Sequence, residues 1–464
     1  MMRFLFPVIL VGCGSPQTVD DVFESGDTRI DMAVEHDPDS GDQQTCASGD
    51  HVYSVWVDDR EGAPAVWLNA SSDRGDSWFS EAMAINGDPA AASNPSLSCD
   101  GERVYVAWED TRDGELQQPA IYFTYSKNGG ESFVWPERVD FDTSGRYPSH
   151  APQVATANGS VWITWFNFLY GAPDVYVATS SDAGATFGEP LRIDSDNRGE
   201  AWSGYPQIVA NADRVHVIWE DHRNGEADLY TALSTDGGLT FGEDERIDGG
   251  IPGAADSQFP QIVLDQGQVW AVWHDQRDGE GFGIYANWFD GAAWMPDAFR
   301  VDEADPGRFD SLRPQLVAEG GLAHVAWHDN RMDVEDIRYR SLATGAVFGD
   351  EQHIDLNDGV SQARNPRIAV QGLDVAVAWE DNRWDTSGQG TNDLYYRYSS
   401  DGGLSWSELD FQLNSTYRAT TYAVDATLDL ADGQVLASWT DGRGGTADIY
   451  FNRLGLGFEA PIPE

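Results

Sequence analysis

A chain of 464 residues with 78 acidic against 28 basic side chains carries a formal charge of −50, and a single lysine, Lys127, leaves the basic complement almost wholly arginine. That balance excludes nucleic acid and anionic membrane faces as partners, since both require clustered Lys and Arg. With 18 Trp, 17 Tyr and 20 Phe the chain is too rich in core-forming rings to be disordered, and 48 Gly and 21 Pro beside them point to strands joined by tight turns, the profile of an all-β protein.

Met1-Met2-Arg3 is a short positive start, and the apolar stretch from Phe4 to Gly12 is too short to span a bilayer, so residues 1–12 read as an export signal. Leu10-Val11-Gly12-Cys13 resembles the bacterial lipobox, which implies lipidation of Cys13, a linker over 13–21, and bilayer contact through that lipid alone. Gly14 stands where an aspartate would imply inner-membrane retention, so the resemblance implies the outer membrane or cell surface. Cys46 and Cys99 take the same place in two successive repeats. An exported compartment permits a disulfide, but only if neighbouring repeats bring the Cα atoms within ~7 Å, and both outcomes stay open.

From residue 22 onward the chain repeats itself. Trp-x-Asp-x-Arg recurs at Trp56-Asp58-Arg60, Trp108-Asp110-Arg112, Trp219-Asp221-Arg223, Trp273-Asp275-Arg277, Trp327-Asp329-Arg331, Trp379-Asp381-Arg383 and Trp439-Asp441-Arg443, with a broken copy at Trp165-Asn167. Successive tryptophans lie 52, 57, 54, 54, 54, 52 and 60 residues apart. Within the fourth unit four apolar or alternating runs follow in order, at 206–209, 214–221, 228–233 and 241–248. Four short strands per repeat predict the blades of a propeller, each sheet burying both faces against its neighbours.

Between the third and fourth runs stands a second motif, S-x-D-x-G-x-[ST]-[WF], at Ser71-Asp73-Gly75-Ser77-Trp78, Ser126-Asn128-Gly130-Ser132-Phe133, Ser180-Asp182-Gly184-Thr186-Phe187, Ser234-Asp236-Gly238-Thr240-Phe241 and Ser399-Asp401-Gly403-Ser405-Trp406. Worn copies remain at Ser341-Ala343-Gly345-Phe348 and Asn287-Gly291-Trp294. Its chemistry is that of a turn: the aspartate accepts backbone amides, glycine supplies positive φ, and the ring plugs between sheets. These residues resemble the Asp-box, or BNR, repeat of the sialidase-like propeller superfamily, which implies one propeller over residues 22–464. Eight tryptophan motifs predict eight four-stranded antiparallel blades, with seven and a degenerate cap as the alternative. Residues 22–31 look like a fourth strand lacking its first three, and are expected to close the ring against the strands around 435–439 and 447–451. The tail 457–464 is the rival for that place, disfavoured by its two prolines.

The Trp-x-Asp-x-Arg residues ring one face, at the opposite end of each blade from the S-x-D turns. A residue present in seven of eight copies is expected to hold its blade together, so function is sought where the repeat breaks. In unit three Phe166, Phe168 and Tyr170 replace the charged turn with rings suited to a sugar face or a protein partner. Connections from fourth to first strands open on the same face and carry His150, Trp202, Tyr205, Arg308, Arg313, Arg364 and Arg418, materials for an anionic-sugar site. Similarity to sialidases would imply three arginines, a Tyr–Glu pair and an acid/base aspartate. The early F/Y-R-I-P motif that carries the first arginine has no counterpart, since Phe299-Arg300-Val301-Asp302 is a fourth-strand repeat, and no catalytic residue is assigned. Nine histidines show no paired zinc spacing. Calcium has better candidates in Asp37, Asp39 and Asp42 and in Asp194 and Asp196 with Asn197 and Glu200, without a full EF-hand loop, and no cofactor is required. The expected protein is a monomeric, lipid-anchored propeller that binds a glycan or a protein without catalysis. The alternative is a glycoside hydrolase, marked by three arginines and a Tyr–Glu pair around one pocket at the channel mouth.

Overall fold

The structure is a computed structural model that describes residues 26–31, 40–87, 91–113, 116–141, 146–345, 347–357, 359–385, 390–415, 422–443 and 445–458; Cys13, Asp37, Asp39 and Arg418 lie outside them. Alternating apolar and polar residues with turn residues at short intervals leave antiparallel strands as the only regular structure among the described residues. They form eight sheets in chain order: blades 1 (41–84), 2 (92–138), 3 (149–192), 4 (203–246), 5 (257–300), 6 (311–353), 7 (363–412) and 8 (423–455 with 28–29). The first strands of successive blades stand side by side around a central channel, and Gly41–Ser48 of blade 1 also meets Ala423–Ala431 of blade 8, so the ring is closed.

Closure uses the N-terminal segment, as the sequence predicts. Thr28 pairs with Phe451 and Arg29 with Tyr450, and the Ile30 amide donates to the Ile449 carbonyl at 2.9 Å. The segment pairs only with Asp448–Gly455 and not with Gln434–Asp441, because a fourth strand has the third as its one neighbour. Fourth strands are shorter than expected: of the run 241–248 only Glu245–Arg246 is in the ladder. They sit on the circumference, where a short edge limits pairing with other chains. First strands are longer, Ser203–Ala210 in blade 4. Blade 6 carries an extra pair, Val347–Phe348 against Leu342–Ala343, beside its fourth strand Gln352–His353.

Burial follows the blades. Eight apolar clusters each fill one interface between neighbours, and each contains one motif tryptophan, such as Trp108 between blades 1 and 2 or Trp439 between 7 and 8. At ~25 cal/mol per Å² and ~200 Å² per ring, one such tryptophan stabilises its interface by up to about 5 kcal/mol. The motif's polar atoms close on themselves. Trp273 Nε1 donates to Asp275 at 2.9 Å, Arg277 Nε donates to the same carboxylate at 2.8 Å, and Arg277 Nη2 reaches the Asp248 carbonyl of the preceding blade at 2.6 Å. The guanidinium also lies 4.2 Å above the Tyr285 ring, and Arg60, Arg112, Arg223, Arg383 and Arg443 repeat that stacking. This ring of acids and arginines is therefore a set of staples within and between blades.

On the opposite face the S-x-D turns make the bonds their sequence implies. The Thr240 amide donates to Asp236 at 2.9 Å, and that carboxyl is held down at about 2 by the Thr240 and Ser234 donors. Gly238 at φ 89° seats against the preceding blade, where an added Cβ would stand 2.6 Å from Trp162 Nε1. Cys46 and Cys99 are bridged, their Cα atoms 6.1 Å apart. The bond the sequence left open is formed because first strands of adjacent blades touch at the channel.

Candidate functional site at the channel mouth

Every first strand begins with the same irregularity. A bulge interrupts its pairing with the second strand at one position, and the bulged residue takes positive φ without being glycine: Asp42, Asn94, Ala151, Tyr205, Phe259, Arg313, Asn365 and Asp425, at 49° to 54°. Left-handed φ is costly for such residues and persists where the surroundings over-determine it. Two features do so. Six of the eight are followed by a buried proline, such as Pro206 or Pro260, which disfavours the right-handed helical region for the residue before it. Several bulge amides are also captured by the preceding blade: Ala151 by Glu109 at 2.9 Å, Phe259 by Glu220 at 2.8 Å, Asp425 by Glu380 at 3.1 Å and Asn365 by His328 Nδ1 at 3.4 Å.

The captors are the x of Trp-x-Asp-x-Arg, a position the motif search passed over. Each is buried. Burial pushes the Glu220 carboxyl up to about 7, against the Phe259 amide that pulls it down. A folded-state value above the ordinary one means that this acid favours the fold fully below about pH 4.5 and loses that contribution as pH rises through 7. Glu220→Gln keeps an acceptor for Phe259 without the charge. We expect it to raise the thermal midpoint relative to the wild type at pH 8, by the equivalent of roughly 2–3 kcal/mol, with the gain vanishing toward pH 4. Thermal unfolding across that range measures it, and a pH-independent difference would contradict the assignment.

Five of the bulge residues, Asp42, Asn94, Ala151, Tyr205 and Asp425, line a cavity of about 450 Å³ in the channel, together with Gln44, Gln153, Arg367 and Thr427 among others. Arg367 takes the place of Gln44, Gln153, Gln207, Gln261 and Gln315 in the other blades. Among the described residues its one hydrogen bond is from Nη1 to the Pro366 carbonyl at 3.0 Å, and the guanidinium lines the cavity. Burial lowers its pKa below the ordinary arginine value, with Glu380 and Asp425 acting the other way.

Of the residues expected to bind ligand, Tyr205 lines this cavity, and several others gather around it. His150, Phe166, Phe168, Trp202 and Tyr205 form one aromatic cluster: the Phe166 ring lies 5.6 Å from His150, 5.9 Å from Phe168, 5.9 Å from Trp202 and 5.5 Å from Tyr205. Phe166 is its buried hub, whereas Tyr205 is 53% exposed at the cavity. Tyr170 is exposed but turned to Arg198, 5.2 Å from its ring. Arg313 sits 5.8 Å from the exposed Phe259 ring, and Arg364 lies 3.5 Å from Glu380. Both stand close enough to His328 to help burial hold that imidazole near 4, hence neutral. Arg308 is apart, in an exposed pair with Asp305. Asp42 lines the cavity, while Asp194 and Asp196 join Asp174 around the guanidinium of Arg192, which pairs with Asp174 at 2.9 Å and Asp194 at 2.8 Å. The missed residue is Arg367, whose signal was a break in the glutamine register of the first strands.

No family model and no curated protein matches this chain. Among solved structures it is similar to polysaccharide lyase Uly1, at 10% identity over 82% of this chain and 94% of that one with a TM-score of 0.49. It is also similar to the BP39L lectin from Burkholderia pseudomallei, at 13% identity over 78% and 95% with a TM-score of 0.46, and to the Hadza microbial sialidase Hz136, at 16% over 76% of each chain with a TM-score of 0.38. These likenesses concern the propeller fold alone.

Proposed function

We infer that the protein binds an acidic glycan at the channel mouth and does not turn it over. The observation that carries this reading is the Arg367 guanidinium, held by one hydrogen bond among amide side chains beside an exposed tyrosine. A carboxylate or sulfate on a sugar fits the donor fork, the Gln and Asn amides suit hydroxyl groups, and Tyr205 offers a ring face. The cavity is within the range of small-ligand sites, about 300–1,000 Å³. The glutamates of the mouth argue against hydrolysis, because Glu109, Glu220 and Glu380 are occupied with bulge amides.

An array of acidic and neutral glycans, followed by titration of the best ligand, tests it. Arg367→Ala is expected to weaken binding at least tenfold, the loss of about 1.5–3 kcal/mol for a charge-assisted bond, and Tyr205→Ala to weaken it less. Binding indifferent to Arg367→Ala sinks the site. Turnover on a fluorogenic glycosidase panel, abolished by Arg313→Ala or Arg364→Ala, would establish the hydrolase reading instead.

A further inference from the structure

The geometry points to a divalent transition-metal site in blade 6, formed by Asp336, His353 and Asp355. In blades 3, 4 and 8 the acid that opens the third strand meets an arginine from the fourth: Asp174 meets Arg192 at 2.9 Å, Asp228 meets Arg246 at 2.9 Å, and Asp448 meets Arg29 at 2.6 Å. Blade 6 has His353 where those arginines stand. Asp336 is fully buried, and neither of its carboxylate oxygens has a hydrogen-bond partner among the described residues. A buried anion in that state is expensive unless a cation answers it.

The spacing fits an ion. His353 Nε2 lies 3.2 Å from Asp355 Oδ2 and 3.9 Å from Asp336 Oδ1, and the three ligand atoms all fall within 4.8 Å of one another. Ligands on a tetrahedral ion with ~2.1 Å bonds stand about 3.4 Å apart, so small rotations complete three of four positions and leave the last to water. His353 is 23% exposed, which opens a path for the hydrated ion.

Local charge agrees. Asp329, Asp336, Glu351 and Asp355 face two guanidiniums. Arg331 is engaged with Asp329 at 2.7 Å and Glu351 at 2.6 Å; Arg338, which stands where six other blades have tyrosine, stays 3.6 Å from Asp329 and 4.0 Å from the far oxygen of Asp336. Two negative charges remain, the complement of a dication. One imidazole with two carboxylates selects a borderline ion such as Zn²⁺ over Ca²⁺, which takes six to eight oxygens. In blade 3 the same acids surround Arg192, so the repeat carries one cationic site with two kinds of occupant.

The test is Zn²⁺ content after chelation, reloading and dialysis, with Co²⁺ absorption as the reporter of geometry. The wild type is expected to retain a single equivalent and to give the visible bands of a low-coordinate N/O cobalt site. His353→Arg restores the ion pair of blades 3, 4 and 8; it is expected to fold, to unfold at an equal or higher temperature, and to lose that equivalent. Asp336→Asn is expected to lose it as well, which serves if the first variant fails to fold. A wild type that retains no metal, or a folded His353→Arg that retains as much as the wild type, overturns the assignment.

Discussion

Asp275→Ala should cost about 3–5 kcal/mol of folding stability, the largest single-residue loss expected in the molecule. Its carboxylate accepts Trp273 Nε1 at 2.9 Å, the Arg277 amide at 2.9 Å, Arg277 Nε at 2.8 Å and the Ser257 hydroxyl at 2.8 Å, with almost no solvent contact. Alanine strands an indole donor and a guanidinium that lies over Tyr285 and keeps one bond to the Asp248 carbonyl. Asp275→Asn should cost less, because an amide still accepts from the backbone. Blade 3 shows that arrangement: Asn167 accepts the Leu169 amide at 2.7 Å and donates to Ser149 at 2.8 Å, with no arginine to satisfy. Denaturant midpoints of both variants measure the difference. An alanine loss below about 1 kcal/mol would show that Arg277 finds another acceptor without strain.

The second large effect is expected from the disulfide. Opening Cys46–Cys99 frees a loop of 53 residues, which in the chain-entropy account costs about 4 kcal/mol. Reductant should lower the denaturant midpoint of the wild type accordingly and leave a Cys46→Ser, Cys99→Ser variant unmoved. The bridge joins blades 1 and 2, next to the interface where the two-residue strand Thr28–Arg29 holds blade 8. Proteolysis after reduction should therefore begin in this sector; attack starting in blades 4 to 6 would contradict a role in holding the closure.

The fold was legible because its main stabilising contact is written eight times in a fixed order. Trp, Asp and Arg two residues apart share one strand end, so a local motif reports a tertiary interface. The mouth was only partly legible. Phe166 is marked by the break in unit three and Tyr205 by its place in a fourth-to-first connection, and the structure places their rings 5.5 Å apart. Arg367 carried no local signal, since its meaning depends on the glutamines that face it from other blades. The left-handed bulges were hidden for a similar reason: glycine usually announces positive φ, but here Tyr205 and Phe259 adopt it before a proline, Phe259 with its amide held by Glu220 of the preceding blade. Cys46 and Cys99 matched in repeat position, yet whether they met depended on the separation of two first strands, which no stretch of sequence encodes.

That bulge also separates two properties proteins usually trade against each other. Backbone conformation at the eight positions is nearly identical, while the side chains are acid, amide, methyl, phenol, phenyl and guanidinium. Where a following proline or a captor holds the chain and the residue lines the cavity, as at Asn94, Ala151, Tyr205 and Asp425, exchanging one side chain for another should leave the ring intact. The mouth then works as a panel of interchangeable addresses on a rigid frame, on which a new ligand preference costs a substitution rather than a new loop.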